Sequence, residues 1–280
     1  MAAERARPVV LVIAGSDSGG GAGIQADLKA VTAMGAYAAT AVTCLTAQNL
    51  DGVRSVQPAE PAQLADQIDA VCEGYRVEAV KTGMLYSAEL IRVVLDALER
   101  HRLPRLVVDP VMVATSGARL LREDAVAAVR DELVPRAAVV TPNLAEAEVL
   151  TGRPVRNEAE MEVAARAIHG LGARWALVKG GHLEGDAADL LFDGERARWW
   201  SSPRVGSTTA EHGTGCALAS AIAAGLARGH AVPDAVEQAK RMLTAALVNR
   251  ADLGGGIEAL DPFWERPESA AGAKGPSGAW

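Results

Sequence analysis

Cys216 lies where a glycine-bracketed turn runs into a helix. The stretch Glu211 to Gly225 reads EHGTGCALASAIAAG, with His212-Gly213-Thr214-Gly215-Cys216 as the turn. Leu218, Ile222 and Leu226 then recur at i, i+4 and i+8 on one helical face. Gly213 and Gly215 on either side of Thr214 let the backbone bend tightly and approach a ligand. The first turn of the helix has unpaired N–H groups at the positive end of the dipole. Such a turn suits an anion, most often a phosphate. A thiol at its mouth is expected to have its pKa lowered below the free value of roughly 8.5. The same residues also read as a tight helix entry with Cys216 as a small buried apolar group.

Other candidates fall where apolar runs end. Asp109 closes one such run and precedes Pro110. Asn143 and Glu146 form N-x-x-E after the next, which fits a helix capping box and, with Asp109 nearby, an acidic pair holding Mg²⁺ through water. Lys179 stands before two glycines, a setting for a point charge on a phosphate. Gln48 can pair with a ring that presents one donor and one acceptor, as an aminopyrimidine does, or it belongs to an exposed polar loop. Met84 packs against a flat ring or fills the core. The loop Gly15 to Gly23 fits G-x-G-x-x-A at Gly21 to Ala26, but the acid expected about 20 residues later is missing. No Gly-Lys-Ser/Thr follows it either. It is expected to be a close-approach wall for a small substrate, with Asp17 as a hydrogen-bonding or cation-binding group. His182 and His212 lack metal-ligand spacing and read as local hydrogen bonders.

The elements that must carry these residues alternate. Strands are expected at Val9–Ala14, Ala38–Leu45, Val77–Lys81, Leu106–Asp109, Ala137–Thr141 and Trp175–Lys179. Helices are expected after Gly23 (Ile24, Leu28, Val31) and at Pro61–Cys72, Glu89–Arg100, Glu123–Leu133, Leu144–Leu150, Met161–Leu171, Cys216–Leu226 and Val232–Val248. Near-continuous apolar strands separated by helices imply a mostly parallel α/β sheet covered on both faces. Asp189 to Trp200 reads instead as a hairpin turning at Asp193-Gly194, an antiparallel pair at one edge. Residues 1–266 are expected as one domain, and 267–280, rich in Gly, Ala, Ser and Pro, as a loose tail. Ligands bind beyond the carboxyl ends of strands in such sheets. Those ends carry Gly15-Ser16-Asp17, Gln48, Lys81 to Met84, Asp109 to Met112, Thr141 to Asn143 and Lys179 to Gly181, a polar set suited to a charged ligand.

The 280 residues carry a net charge of −7 without long runs, which argues against a nucleic-acid partner. No segment reaches membrane-spanning length. Cys44, Cys72 and Cys216 are odd in number and far apart, which fits a reducing cytoplasm.

The segments AGSDSGGGAGIQADLKA, LTAQN, KTGML, DPVMVATSG, TPNLAEAEVLTG, VKGGH and EHGTGCALASA follow in this order across nearly the whole chain. In this the sequence resembles the bacterial hydroxymethylpyrimidine/phosphomethylpyrimidine kinases of thiamine synthesis, in the ribokinase-like superfamily. The resemblance implies a three-layer α/β fold, a homodimer, and use of ATP and Mg²⁺. It implies phosphorylation of 4-amino-5-hydroxymethyl-2-methylpyrimidine and then of its monophosphate to the diphosphate. Gly213 to Cys216 would be the anion hole, with Cys216 as base in place of the superfamily's usual aspartate. Gln48 would read the pyrimidine edge, with Met84, Val111, Asp17 and the Gly15 loop around it. Asp109 and Glu146 would serve the metal, and Lys179, Thr214 and Asn143 the nucleotide. Thr115 stands where the resemblance would place a lysine. A vitamin B6 kinase on the same fold is the rival reading, and a non-catalytic pyrimidine sensor or a nicotinamide oxidoreductase are more distant ones.

Overall fold

The computed structural model describes residues 6–50, 52–112, 121–181, 187–202 and 209–263. His182, Thr115 and the expected tail lie outside them. Among the described residues nine strands form one sheet: β1 (Val9–Asp17), β2 (Tyr37–Asn49), β3 (Gly52–Pro58), β4 (Val77–Thr82), β5 (Leu106–Val108), β6 (Val139–Val140), β7 (Ala176–Gly180), β8 (Ala187–Phe192) and β9 (Ala197–Ser202). Their order is β3-β2-β1-β4-β5-β6-β7-β8-β9. Pairing is parallel from β2 through β7 and antiparallel at β2/β3, β7/β8 and β8/β9. The expected hairpin is β8–β9, and Asp193 Oδ1 accepts from Glu195 N at 2.9 Å and Arg196 N at 2.7 Å to close its turn.

Side chains alternate between two apolar layers, as a pleated strand requires. Leu11 and Ile13 of β1 face one layer, shared with α2 (Pro61–Gly74), α3 (Ala88–Arg100) and α6 (Glu158–Gly170). Val10, Val12 and Ala14 face the other, shared with α1 (Gly23–Ala33), α7 (Thr214–Ala227) and α8 (Val232–Val248). Between α3 and α6 lie α4 (Glu123–Ala128) and α5 (Leu144–Thr151). The segment expected as one helix over 123–133 changes to a wider π turn at Val129–Leu133 and then a 3₁₀ turn. α7 and α8 approach closely because Gly225 lacks a side chain: a Cβ there would lie 2.8 Å from the Ala235 Cβ.

Further features depart from the sequence expectation: β5 ends at Val108 and β6 is only Val139–Val140. β1 and β2 run past Ala14 and Leu45, because after a bulge Ser16 and Asp17 pair again with Leu45 and Thr46. Gln48 and Asn49 are therefore strand residues. β2 then turns back as β3, whose alternation is only weakly apolar because both faces are largely exposed. A separate small hairpin, β10 (Ala251–Gly254) with β11 (Ile257–Ala259), follows α8.

Candidate active site

The sheet order reverses at β1, which lies between β2 and β4. A crevice opens at such a switch point, beyond the carboxyl ends of the strands. It is a cavity of about 340 Å³, and every residue expected in the site lines it. Gly15, Asp17, Gln48, Met84, Asp109, Val111, Asn143, Glu146 and Lys179 come from strand ends and the loops after them, and Gly213, Thr214, Gly215 and Cys216 from the start of α7.

Gly213 caps α7 with φ 82°, and no side chain caps the helix. The first intrahelical bond of this turn is Ala217 N to Gly213 O, so the Thr214, Gly215 and Cys216 amides have no partner within the helix. A Cβ on Gly213 would collide with Gly21 O, so glycine is required there by space as well as by φ. A Cβ on Gly215 would lie 3.1 Å from Lys179 Nζ, which puts the ammonium against the helix start. The Thr214 hydroxyl donates to Glu211 O at 2.9 Å and braces the turn.

Lys179 Nζ is 3.0 Å from Asp109 Oδ1, and Thr141 Oγ1 is 3.3 Å from the same oxygen. Burial raises the Asp109 carboxyl, but Lys179 and Lys81 outweigh it and hold the group below its ordinary value. Asn143 and Glu146 form a full capping box: Asn143 N donates to Glu146 Oε2 and Glu146 N to Asn143 Oδ1, both at 2.8 Å. Burial, reinforced by Asp109, pushes Glu146 up to about 7 against the pull of Lys179 and the backbone N–H groups of Asn143 and Met112. Capping and cavity lining thus coexist in Glu146. Among the described residues no group of three or more His, Cys, Asp or Glu side chains converges as a metal cluster. Two hard carboxylates, Asp109 just past β5 and Glu146 in the first turn of α5, do fit Mg²⁺, which is commonly bound by one or two carboxylates, waters and substrate phosphates.

Three expectations change. Cys216 was expected to favour its thiolate. Burial instead pushes the thiol up to about 12, with Asp109 and Asp27 adding to it, while Lys81 and the Gly23 N–H oppose it. Desolvation outweighs the helix start. Asp17 was expected to offer hydrogen bonds to a ligand or cation. Its carboxylate is already used: it accepts from Gly19 N at 2.8 Å, Gly21 N at 3.1 Å and Ala22 N at 2.8 Å, and lies 3.2 Å from His212 Nε2. Burial raises it, but these partners, His212 first, bring it below the ordinary carboxylate value. It holds the glycine loop in shape. Lys81 was counted among the strand-end charges. It is fully buried, with Nζ 2.9 and 3.0 Å from the two oxygens of Asp27, which also accepts from Ser220 Oγ at 2.7 Å. Burial alone would lower the ammonium, but Asp27 holds it above its ordinary value.

Sequence reasoning missed the α8 wall. Lys240, Leu243, Thr244 and Leu247 line the cavity from one helical face at i, i+3, i+4 and i+7. Lys240 Nζ lies 2.5 Å from Asp189 Oδ2, and Gly180 N donates to Asp189 Oδ1 at 2.9 Å. The i, i+3, i+4, i+7 spacing was visible in the sequence but has the same period as a core face.

Residues 17–261 match the family model for phosphomethylpyrimidine kinase. This chain belongs to the phosphomethylpyrimidine kinase family. It is 48% identical over 257 residues to the hydroxymethylpyrimidine/phosphomethylpyrimidine kinase of Streptomyces coelicolor, covering 92% of this chain and 95% of that one. Among solved structures it is similar to the phosphomethylpyrimidine kinase of Clostridium difficile (39% identity, TM-score 0.77, 86% and 100% of the two chains). It is also similar to Bacillus subtilis pyridoxal kinase, solved as an ADP complex (35% identity, TM-score 0.82, 91% and 96%). The fold is the ribokinase-like one, with a mostly parallel sheet and antiparallel strands at its edge. Among the described residues no helix is long and apolar enough to cross a membrane.

Proposed function

We propose that the protein is an ATP-dependent kinase of thiamine synthesis. It phosphorylates 4-amino-5-hydroxymethyl-2-methylpyrimidine and then the resulting monophosphate to the diphosphate. Family membership supports the class of reaction. The observation that carries the site assignment is the uncapped start of α7, with Lys179 against Gly215 and Cys216 in the first turn, facing the same cavity as Gln48.

Phosphoryl transfer needs positioning, charge neutralisation and exclusion of water more than covalent help. Gln48 pairs with the ring edge, and Met84, Val111 and Gly15 shape the floor beneath the ring. A Cβ on Gly15 would meet Cys44 Sγ at 2.7 Å and Met84 Sδ at 3.3 Å, so glycine lets β1 pack directly against these two side chains and fixes Met84 at the cavity. The Thr214, Gly215 and Cys216 amides and Lys179 hold the transferring group, with Asn143 beside them for the nucleotide. Asp109 and Glu146 are the residues that would hold Mg²⁺, which supplies charge neutralisation on the phosphates. Leu243 and Leu247 of α8 offer an apolar wall to a flat base. Cys216 takes the alcohol proton as the new bond forms. Its high pKa in the free protein means that the thiol starts protonated, so its own proton must first leave to bulk water, and the thiolate that results, facing the Lys81 and Lys179 ammonium groups, then takes the alcohol proton.

We read the protein as a cytoplasmic homodimer. Leu45 and Leu50, 59% and 42% exposed at the β2–β3 edge, support an apolar contact between copies, and sedimentation equilibrium tests it. The likeness to a pyridoxal kinase favours vitamin B6 alcohols as a second substrate class. An ADP-release assay with the pyrimidine alcohol, its monophosphate and pyridoxal tests both readings. ADP release with pyridoxal alone would overturn the pyrimidine assignment. Asp109→Asn is expected to raise the Mg²⁺ concentration needed for half-maximal rate, and an unchanged Mg²⁺ dependence would remove Asp109 from the metal site.

A further inference from the structure

His212 reaches across the mouth of the cavity to Gln48, although 164 residues separate them in sequence. Its Nε2 is 3.2 Å from Asp17 Oδ2 and 3.3 Å from the near atom of the Gln48 carboxamide. The far carboxamide atom is 3.4 Å from Thr46 Oγ1; as placed in the structure, the near atom is the nitrogen and the far one the oxygen. The ring packs against the glycine loop, where a Cβ on Gly21 would come within 2.7 Å of His212 Cδ2.

A carboxamide fits such a place in two orientations related by a half-turn, with oxygen and nitrogen exchanged. The neighbours decide between them. An ionised Asp17 only accepts, so the His212 nitrogen beside it carries a proton. Thr46 uses its hydroxyl proton on Ser16 O at 2.9 Å, so towards Gln48 it is left with lone pairs. With the Gln48 nitrogen towards His212, two donors would face each other, and two acceptors would meet at Thr46. The opposite orientation satisfies both contacts: His212 N–H is shared between Asp17 and the Gln48 oxygen, and the Gln48 NH₂ donates to Thr46.

We infer that His212 is a specificity-determining positioning residue, which locks the Gln48 carboxamide with its oxygen towards His212 and its nitrogen towards Thr46. The inference deepens the proposed function and rests on Gln48 reading the substrate edge. One lone pair and one N–H of the carboxamide remain for the ligand, in a fixed order. A 4-aminopyrimidine presents an N–H donor beside a ring-nitrogen acceptor. The corresponding 4-oxo ring presents an acceptor beside a ring N–H, the same pair reversed. A carboxamide free to turn serves both rings, whereas a locked one mispairs with the second. His212 thereby makes the site distinguish an amino from an oxo substituent without touching the substrate. Asp17 is the anchor, since it orients the imidazole while gathering the glycine loop.

The test compares kcat/KM for the 4-amino and 4-oxo forms of 5-hydroxymethyl-2-methylpyrimidine in the parent, His212→Phe and His212→Gln. The parent is expected to prefer the amino ring on the order of 100-fold, the effect of mispaired hydrogen bonds in a confined site. His212→Phe keeps a flat ring against Gly21 but removes the N–H, and its preference is expected to fall to within about threefold as Gln48 becomes free to turn. Gln places an amide N–H near the position of Nε2, so His212→Gln is expected to restore most of the preference. An unchanged preference in His212→Phe, with both substrates weakened alike, would show a purely structural residue and overturn the inference. A second measurement is independent of substrate. The ¹⁵N spectrum of the histidine side chains in the free parent is expected to show the His212 Nε2 protonated. An unprotonated Nε2 overturns the lock even if the enzyme is an active pyrimidine kinase. Transfer to neither pyrimidine by a parent with a protonated Nε2 overturns the kinase reading, and with it the specificity role.

Discussion

Cys216 is a thiol in the free protein, and this makes its proposed role as base measurable. With burial holding it near 12, alkylation by iodoacetamide at pH 8 is expected to be slower at Cys216 than at an unperturbed thiol, as followed by peptide mass spectrometry. The nucleophile is the thiolate, and little is present. Rapid alkylation would show that the helix start outweighs burial after all. The two acceptors give a second prediction. The alcohol must lose a proton, and a positioned base contributes typically about 10²–10⁴-fold. The monophosphate, with a second pKa near 6 by analogy with phosphorylated side chains, is already a dianion at pH 8. Cys216→Ala is therefore expected to slow single-turnover transfer to the alcohol much more than to the monophosphate, and equal losses would assign Cys216 to positioning alone. At this scale the sequence told residue type and neighbourhood, but not how each group is used. Asp17, Lys81 and Cys216 each stood at an expected strand or helix end. What decided their state was burial and partners from distant segments: His212 for Asp17, Asp27 and Ser220 for Lys81, and the surroundings of the α7 start for Cys216.

Among the elements, β4 and α1 are joined by the buried Lys81–Asp27 pair. Removing one partner of such a pair leaves an uncompensated charge and costs about 3–5 kcal/mol, whereas replacing both with apolar residues is often neutral. Lys81→Met is expected to show that loss in urea unfolding, and Lys81→Met with Asp27→Leu to recover much of it. The start of α5 gives a pH-dependent counterpart. Glu146 ordinarily titrates at 4.5 but at about 7 when folded. Between these values the folded state holds the extra proton, so the stability contributed is full below about 4.5 and is lost as pH rises through about 7. Urea unfolding of the metal-free protein from pH 4.5 to 7.5 is expected to show parent stability declining relative to Glu146→Gln. A difference that stays flat with pH would contradict the shift. Most elements were legible because strands with both faces covered are continuously apolar and helices such as α3 carry a clear 3.6-residue stripe. β3 and the end of β2 were not, because an exposed edge has little apolar alternation, and Gln48 and Asn49 resemble loop residues. The β10–β11 hairpin follows the last helix with three consecutive glycines, Gly254 to Gly256, which give no strand signal.

Seen whole, the molecule builds its cavity from strand ends near the N-terminus, strand ends in the middle and two helices near the C-terminus. A ligand seated there ties together segments that meet nowhere else in sequence. Saturating nucleotide is expected to raise the midpoint of thermal unfolding for the entire cooperative unit, with about 2.7 kcal/mol added at 100 times Kd. A local effect confined to α7 would show instead as a separate transition. The same arrangement bears on how the chain is made. β1 and β4 lie in the middle of the sheet and leave the ribosome early, but Val10, Val12, Ile24 and Val31 are covered by Leu218, Ile222, Leu226 and Val236, which are made last. During synthesis that apolar face has nothing to rest on, and contacts of such sequence separation form slowly. The growing chain is therefore expected to be open to aggregation until α7 and α8 emerge. A nonsense change that releases the chain at residue 213 would deliver an aggregating fragment, with most of the strands present and none of the activity.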